Sequence, residues 1–394
     1  MKLLIILSAV VLALASDRSN HHQRSNWVRQ NIRSNNHINP SSSSSESDEQ
    51  SPKILKTKVF NPNRCNLVPE PTSYELSLFR QWAAKHNKHY SESEQSCRLI
   101  NVINTIRDIH AHNQRYDEGK ETYKRGLNHL SDLTMQEMRD RILMKKPKSQ
   151  LAHSKLSDLP YLPDARENVD YRDEGLVGPV AQQGYCGSCY AWSSAAVVEG
   201  QLRKCNIFKE PVSVQNMVDC PTEGCEKCKG GLPYFVFEYQ KHGGILPADK
   251  YPYLDRNGTC NFSKSDIIAY VDQAFGFNFM PIKRRHEYIK KIVSIVGPIS
   301  VGLCAEQSFK DYDSGVYSND SCGDEMNHAV TIVGYGSDPR DGDYWLIKNS
   351  WGKYWGENGY GRVAMGKNMC QFESEVYFAQ LRDSRGKVCE LFDF

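Results

Sequence analysis

The sequence predicts an α+β protein: a helical N-terminal block, then a larger block that is helical in its first half and sheet-rich in its second. Three observations carry this. Apolar residues recur at helical spacing over residues 72–113; the run 189–204 holds no Gly or Pro except Gly200; and after Gly297 the stretches ISVGLC, HAVTIVGYG and DYWLIKNSWG follow one another as strands. A helical half facing a sheet half implies two lobes with a cleft between them, a common location for a functional site.

Taken in order, Lys2, the apolar run 3–15 and small residues ahead of Ser16 form a signal-peptide pattern over residues 1–15. A membrane anchor needs about 20 apolar residues, so none is expected, nor a membrane partner. Residues 16–71 are rich in Asn, Ser and Gln and include the run 41–45 of serines. Too few apolar groups are present to offset the entropy of ordering, and a disordered extension is expected. A helical domain is expected over 72–140. Thr72 and Glu75 form a capping-box pattern ahead of Leu78, Phe79 and Trp82. Ser91 and Glu94 repeat it before a second helix, with Leu99, Val102, Ile103, Ile106 and Ile109 on the buried face and Glu94 paired with Arg98 on the other. GLNHLSD at 126–132 reads as a short strand or turn. Residues 141–158, containing the basic, aperiodic KKPKSQLAHSK, read as a linker and processing region with its cut between about Ser157 and Asp164. The last domain spans 159–394, with short helices expected at 215–218 and 233–240.

The chain has 13 Cys in 394 residues and a formal net charge of +2. The first points to an oxidising compartment; the second offers no electrostatic footprint for nucleic acid.

The motif QGYCGSCYAW at 183–192 sets Cys189 after a Gly/Ser turn at a helix start. Unpaired N–H groups there favour a thiolate, lowering the thiol pKa from about 8.5 toward roughly 3.5–7.5. A thiolate nucleophile needs a base and a group to orient that base. His328 opens one strand and Asn349 ends the next, so adjacent strands bring the two to one edge. The side chain of Gln183 and the N–H of Cys189 are suited to hold an oxyanion. Cys225 and Cys228 form a lone CxxC; without a second pair at zinc spacing, no metal or cofactor is expected.

These residues resemble the papain-like cysteine proteases, in particular the cathepsin L- and F-like branch, over residues 72–376. The resemblance implies a papain-like two-lobe fold, a helical lobe beside a β-barrel-like sheet lobe, preceded by a helical inhibitory propeptide. It implies a cysteine endopeptidase made as a zymogen, secreted or lysosomal, that hydrolyses peptide bonds through a thioester on Cys189 with His328 as base and acid. Gln183 would be the oxyanion donor, Asn349 the orienter and Trp351 the ring shielding the His/Asn contact. Glu94, Arg98, Ile109 and Asn113 match the family's interrupted helical propeptide motif, with Val102 and Thr105 as departures. Gly126, Asn128 and Asp132 match its second motif, with Leu130 in place of Phe. The propeptide would run through the cleft in reverse and leave in acid. Expected partners are protein and peptide substrates, the chain's own propeptide and cystatin-like inhibitors, with the protein a monomer. The alternative is a catalytically silent homologue that binds peptides or inhibitors.

Three positions depart from the family pattern: Tyr190 for Trp, Asn327 for Asp before the base, and Tyr171 for Trp. Loss of a carboxylate at Asn327 is expected to lower the pKa of His328. The family's disulfides would be Cys186–Cys228, Cys220–Cys260 and Cys322–Cys370. With Cys189 free, the further pairs expected are Cys205 with Cys225 and Cys304 with Cys389. By the same analogy the pocket for the residue before the acyl residue is lined by Leu232, Pro233, Gly302 and Met326, enlarged by Gly302, with Glu375 at its floor and Gly231 offering backbone hydrogen bonds. Asn257, Asn261 and Asn319 stand in glycosylation sequons.

Overall fold

A computed structural model describes residues 70–145, 154, 155, 159, 161–280 and 282–391. All fall within one compact unit, Phe60–Phe394. The expected signal peptide, nearly all of the extension and much of the linker lie outside the described residues.

The N-terminal block begins with α1 (Ser73–Lys85), where both halves of the capping box form: Glu75 N–H donates to Thr72 Oγ1 at 3.2 Å and Thr72 N–H to Glu75 Oε2 at 2.7 Å. Helix α2 (Glu92–Asp117) lacks this cap, because the Ser91 hydroxyl turns to the Glu94 carboxylate and makes no bond to the backbone. Its buried face is also rotated from the expected one. Arg98, Ile100, Val102, Ile103, Thr105 and His112 are inside, while Leu99, Ile106 and Ile109 are half-buried. The guanidinium draws the helix round: Arg98 bonds Asp132 O at 3.1 Å and Glu137 at 2.8 Å, closer than its 3.7 Å to Glu94. Of the strand or turn expected at 126–132 the turn is present, and a strand lies just before it, as β1 (Tyr123–Arg125). Residues 126–132 form a turn closed by Asn128, whose Oδ1 accepts from Leu130 N and whose N–H donates to Ser131 Oγ. Helix α3 (Met135–Arg141) follows, with a complete Thr134/Glu137 capping box.

The C-terminal block opens with β2 (Val169–Asp170) and α4 (Cys189–Lys204), the latter buried along nearly its whole length. Helices α5 (Val214–Asp219) and α6 (Pro233–Gly243) extend the helical half. Then come β3 (Ala269–Asn278), α7 (Arg285–Val296), β4 (Ile299–Leu303), α8 (Gln307–Lys310), β5 (Tyr312–Tyr317), β6 (His328–Asp338), β7 (Gly342–Lys348), β8 (Tyr360–Ala364) and β9 (Glu375–Asp383). The described strands form one sheet in the order β1-β5-β8-β7-β6-β4-β9-β3, with β2 on β6. Thus β1 of the N-terminal block is the edge strand of the C-terminal block's sheet, pairing Tyr123 with Gly315 in β5. Antiparallel pairing of β6 with β7 sets the start of β6 and the end of β7 side by side at one end of the sheet's strands.

The structure joins Cys186 to Cys228, Cys220 to Cys260 and Cys322 to Cys370. The remaining pairing differs from expectation. Cys205, just past the end of α4, bonds Cys389 near the C-terminus, with Cα atoms 6.0 Å apart, while Cys225 and Cys304 are free and buried. The cause is topological. After β9 the chain turns back, Cys389 N–H donating to Leu381 O at 2.8 Å, and this return brings the tail to the helix end.

Candidate active site

Cys189 is the first residue of α4, with Ser188 at the N-cap. Ser188 is held by Tyr253, whose hydroxyl lies 2.7 Å from Ser188 Oγ and donates to Gln183 O. His328 starts β6 and Asn349 follows β7, both fully buried, and His328 Nε2 lies 2.8 Å from Asn349 Oδ1. That oxygen also accepts from Ser350 N–H at 2.8 Å, so it is the amide carbonyl oxygen and Nε2 must carry the proton. Nδ1 is left as the bare acceptor, without a hydrogen-bond partner among the described residues. The sulfur of Cys189 receives the N–H of Ala329, the residue after His328. Trp351 stacks on the imidazole at 4.5 Å, with Phe309 edge-on to Trp351 at 5.7 Å.

Gln183 is joined to the same network. Its Oε1 accepts from Ser350 Oγ at 2.7 Å, which aims its Nε2–H₂ group at Cys186 O and at Ile142 O, 2.8 and 2.7 Å away. Ser350 therefore orients both amides. The sequence signal for it was present, since it stands between Asn349 and Trp351, but a serine there carries no chemistry until its neighbours in space are known.

Ile142 belongs to the N-terminal block. Residues 142–145, expected to begin a free linker, form a strap through this site. Ile142, Leu143 and Met144 are buried, Met144 N–H donates to Asn327 O and Lys145 N–H to Lys229 O, both at 2.8 Å. Gly230 permits the passage: it takes φ +134°, and a Cβ there would overlap the Lys145 backbone. The strap's own backbone bond is to Lys229, two residues before Gly231. Farther on, Ser154 N–H bonds Gly276 O on β3 at 2.7 Å.

Burial under this strap overturns the expected thiolate. The Cys189 thiol is pushed up to about 12 by desolvation, which outweighs the backbone amides of Ala329, Tyr190, Met144 and Cys189. His328 is pushed down to about 4, again by burial, against the Asn349 bond. Thiol and imidazole are both neutral here. The His328 shift has the expected direction with burial as its first cause, and the Asn327 side chain accepts from Ala305 N at 2.7 Å.

Tyr190 is fully buried and donates to Lys227 O at 3.1 Å, and its ring fills the space beside Gly231. Tyr171 donates to Val293 O. Leu232, Pro233, Gly302 and Met326 are each buried, and Met326 Sδ occupies the space a Cβ at Gly302 would take. Pairing of Val301 with Val376 sets Glu375 beside Gly302 across the ladder, where its carboxylate accepts from the Tyr377 hydroxyl. Among the sequons, Asn257 and Asn261 are exposed. Asn319 is half-buried, its amide nitrogen donating to Ser308 Oγ at 3.0 Å.

The two blocks also meet away from the strap. Arg125 pairs with the buried Asp311 at 2.7 Å, Asn128 Nδ2 donates to Lys310 O, and Lys310 Nζ donates to Leu133 O at 2.9 Å. None of these partners in the C-terminal block was singled out from sequence. No group of acidic, His and Cys residues suited to a metal ion occurs among the described residues, and no described helix is long and apolar enough to cross a membrane.

Residues 165–380 match the family described as papain family cysteine protease, and residues 79–138 match the cathepsin propeptide inhibitor domain. The chain is 39% identical to mouse cathepsin K over 307 residues, covering 75% of this chain and 89% of that one. It is 37% identical to a cathepsin L-like protein of Caenorhabditis elegans, covering 72% and 84%. Among solved structures, the digestive procathepsin L 3 of Tenebrio molitor larval midgut superposes with a TM-score of 0.69 at 28% identity, covering 78% of this chain and 99% of that one. The recombinant stem bromelain precursor gives 0.68 at 29%, covering 78% and 99%. The chain therefore belongs to the papain family of cysteine proteases, as a cathepsin-like zymogen whose N-terminal block is the inhibitory propeptide domain.

Proposed function

We propose that Cys189, His328, Asn349 and Gln183 carry the hydrolysis of peptide bonds. With the strap gone, water returns, the α4 N-terminus favours the thiolate, and Nδ1 of His328 holds the proton. The sulfur attacks the substrate carbonyl carbon, a C–S bond forms, and the π electrons move to oxygen, where Gln183 Nε2–H and Cys189 N–H receive them. Collapse of this intermediate breaks the C–N bond as Nδ1–H protonates the departing amine. Water, giving a proton to Nδ1, then attacks the thioester; the acid leaves and the thiolate returns.

The observation that carries this reading is the shared Asn349 oxygen, which forces the His328 proton onto Nε2 and leaves Nδ1 as the base. The carbonyl of Ile142 on Gln183 Nε2 supports the oxyanion role, because it lies where a developing oxyanion would. We read residues 72–140 as the propeptide domain, 141–158 as linker and processing region, with 142–145 as the strap, and 159–394 as the peptidase. Leu232, Pro233, Gly302 and Met326 form the acyl-side pocket, with Glu375 at its floor able to take Arg as well as Leu or Phe. The four described disulfides and the exposed sequons at Asn257 and Asn261 support passage through the secretory pathway to a lysosome or the exterior, as a monomer open to cystatin-like inhibitors.

The test is covalent labelling by a thiol-alkylating epoxide after acid removal of the propeptide, with the modified peptide mapped to separate Cys189 from Cys225 and Cys304. Label on Cys189, absent before processing and in Cys189→Ala, is expected. Processed protein that leaves Cys189 unlabelled would sink the reading.

A further inference from the structure

Tyr185 stands between Gln183 and Cys186, yet its side chain is 55% exposed. It is held from beneath. Gly184 takes φ +65°, the Asp255 carboxylate occupies the space a Cβ there would need, and Tyr185 N–H donates to that carboxylate. An aromatic face with a carboxylate at its base is suited to a cation. In the proform it has one: the Arg141 guanidinium lies over the ring, 5.8 Å from its centroid.

Arg141 directly precedes Ile142, whose carbonyl takes the proposed oxyanion donor. The other end of the strap, Lys145, bonds Lys229 and passes against Gly230, beside the acyl-side wall at Gly231, Leu232 and Pro233. The Arg141 end therefore lies on the leaving-group side of the site. We infer that Tyr185, with Asp255 beneath it, is a specificity residue of the leaving-group side that selects peptides carrying Arg or Lys among the first two residues after the scissile bond. The inference rests on the assignment of Cys189 and Gln183 made above.

The test uses internally quenched peptides with Arg, Lys, Gln or Met at each of those two positions, cleaved by the mature enzyme and by Tyr185→Ala, Tyr185→Phe and Asp255→Asn. At one position Arg and Lys are expected to exceed Gln in kcat/KM by about two- to fivefold, the range an exposed cation–π contact supplies. Tyr185→Phe keeps that ratio, Asp255→Asn lowers it, and Tyr185→Ala brings it to near one. No Arg preference in the wild type, or an unchanged ratio in Tyr185→Ala, overturns the proposal. Equilibrium binding of the same peptides to mature Cys189→Ala reads the preference without turnover. Absent cleavage with tighter binding of the Arg peptide removes the catalytic assignment and keeps Tyr185, whereas equal binding of Arg and Gln peptides removes Tyr185.

Discussion

In the proform, inhibition at the residue scale is electrostatic as well as steric. Met144 and its neighbours exclude water, and a site without water cannot hold a thiolate and an imidazolium. The same geometry keeps the proposed oxyanion donor engaged, since Gln183 Nε2 donates to Ile142 O. Gln183→Ala in the mature enzyme should lower kcat by about 10²- to 10³-fold, as loss of one preorganised donor does. Ser350→Ala removes only the bond that aims Gln183, and a decrease of about fivefold is expected, roughly the worth of one hydrogen bond. Steady-state rates on a single peptide check both, and an unchanged kcat in Gln183→Ala would remove it from the oxyanion site. The residues proposed as nucleophile, base and orienter stood out in the sequence because each belongs to a local pattern: a helix start, a strand start and the NSWG turn. Ser350 was not, because its role depends on Gln183, far away in the chain.

At the scale of elements, α1 and the 126–132 turn dock on the peptidase through His86 and His129, which both pack on Tyr354, at 4.8 and 6.2 Å between ring centroids. Lys85, Lys88, Asp132 and Tyr354 are the charged and titratable groups facing them. Burial pushes both histidines down to about 4, and both have ring nitrogens without hydrogen-bond partners among the described residues. The released propeptide regains ordinary histidines near 6.5, so between about pH 6.5 and 4 it binds protons that the docked form refuses. Docking therefore weakens as pH falls through that window. Among the carboxylates, Arg107 holds Glu75 down to about 2; this pair lies within the propeptide, and its contribution, present above the usual carboxylate range, is lost progressively as pH falls from that range to about 2. His86→Gln with His129→Gln should move the midpoint of acid processing to lower pH, measured by gel across a pH series. A midpoint unmoved by both changes would assign the trigger to other groups. The helices were legible from spacing and caps. The rotation of α2 was not, because Arg98 goes inward to reach partners in the next turn and helix.

For the whole molecule, a propeptide strand completes the edge of the enzyme's sheet while the far end of the chain is tied to the central helix. Thr122 Oγ1 donates to Val316 O at 2.6 Å and β1 lies on β5, so the zymogen covers an edge that processing would expose. At the other end, Cys205–Cys389 closes a separation of 184 residues. A disulfide of this kind contributes about 2–4 kcal/mol, and a domain of this size shifts its Tm by roughly 2–4 °C per kcal/mol. Cys389→Ser should accordingly lower Tm by about 5–15 °C, followed by calorimetry, whereas Cys304→Ser should change it little. Equal shifts in the two variants would place the bond elsewhere.

The sequence by itself determined the family, the presence of a propeptide and the chemistry available, because caps, periodic apolar faces and short motifs act between residues close in the chain. Tertiary structure alone decided which cysteine meets Cys389, that Met326 fills the space beside Gly302, and that residues 142–145 lie in the cleft rather than in a free linker. It also decided the protonation of Cys189 in the zymogen. Proximity to a helix N-terminus is a local property and favours the thiolate; exclusion of water is a property of everything packed around the sulfur, and here it outweighs the helix.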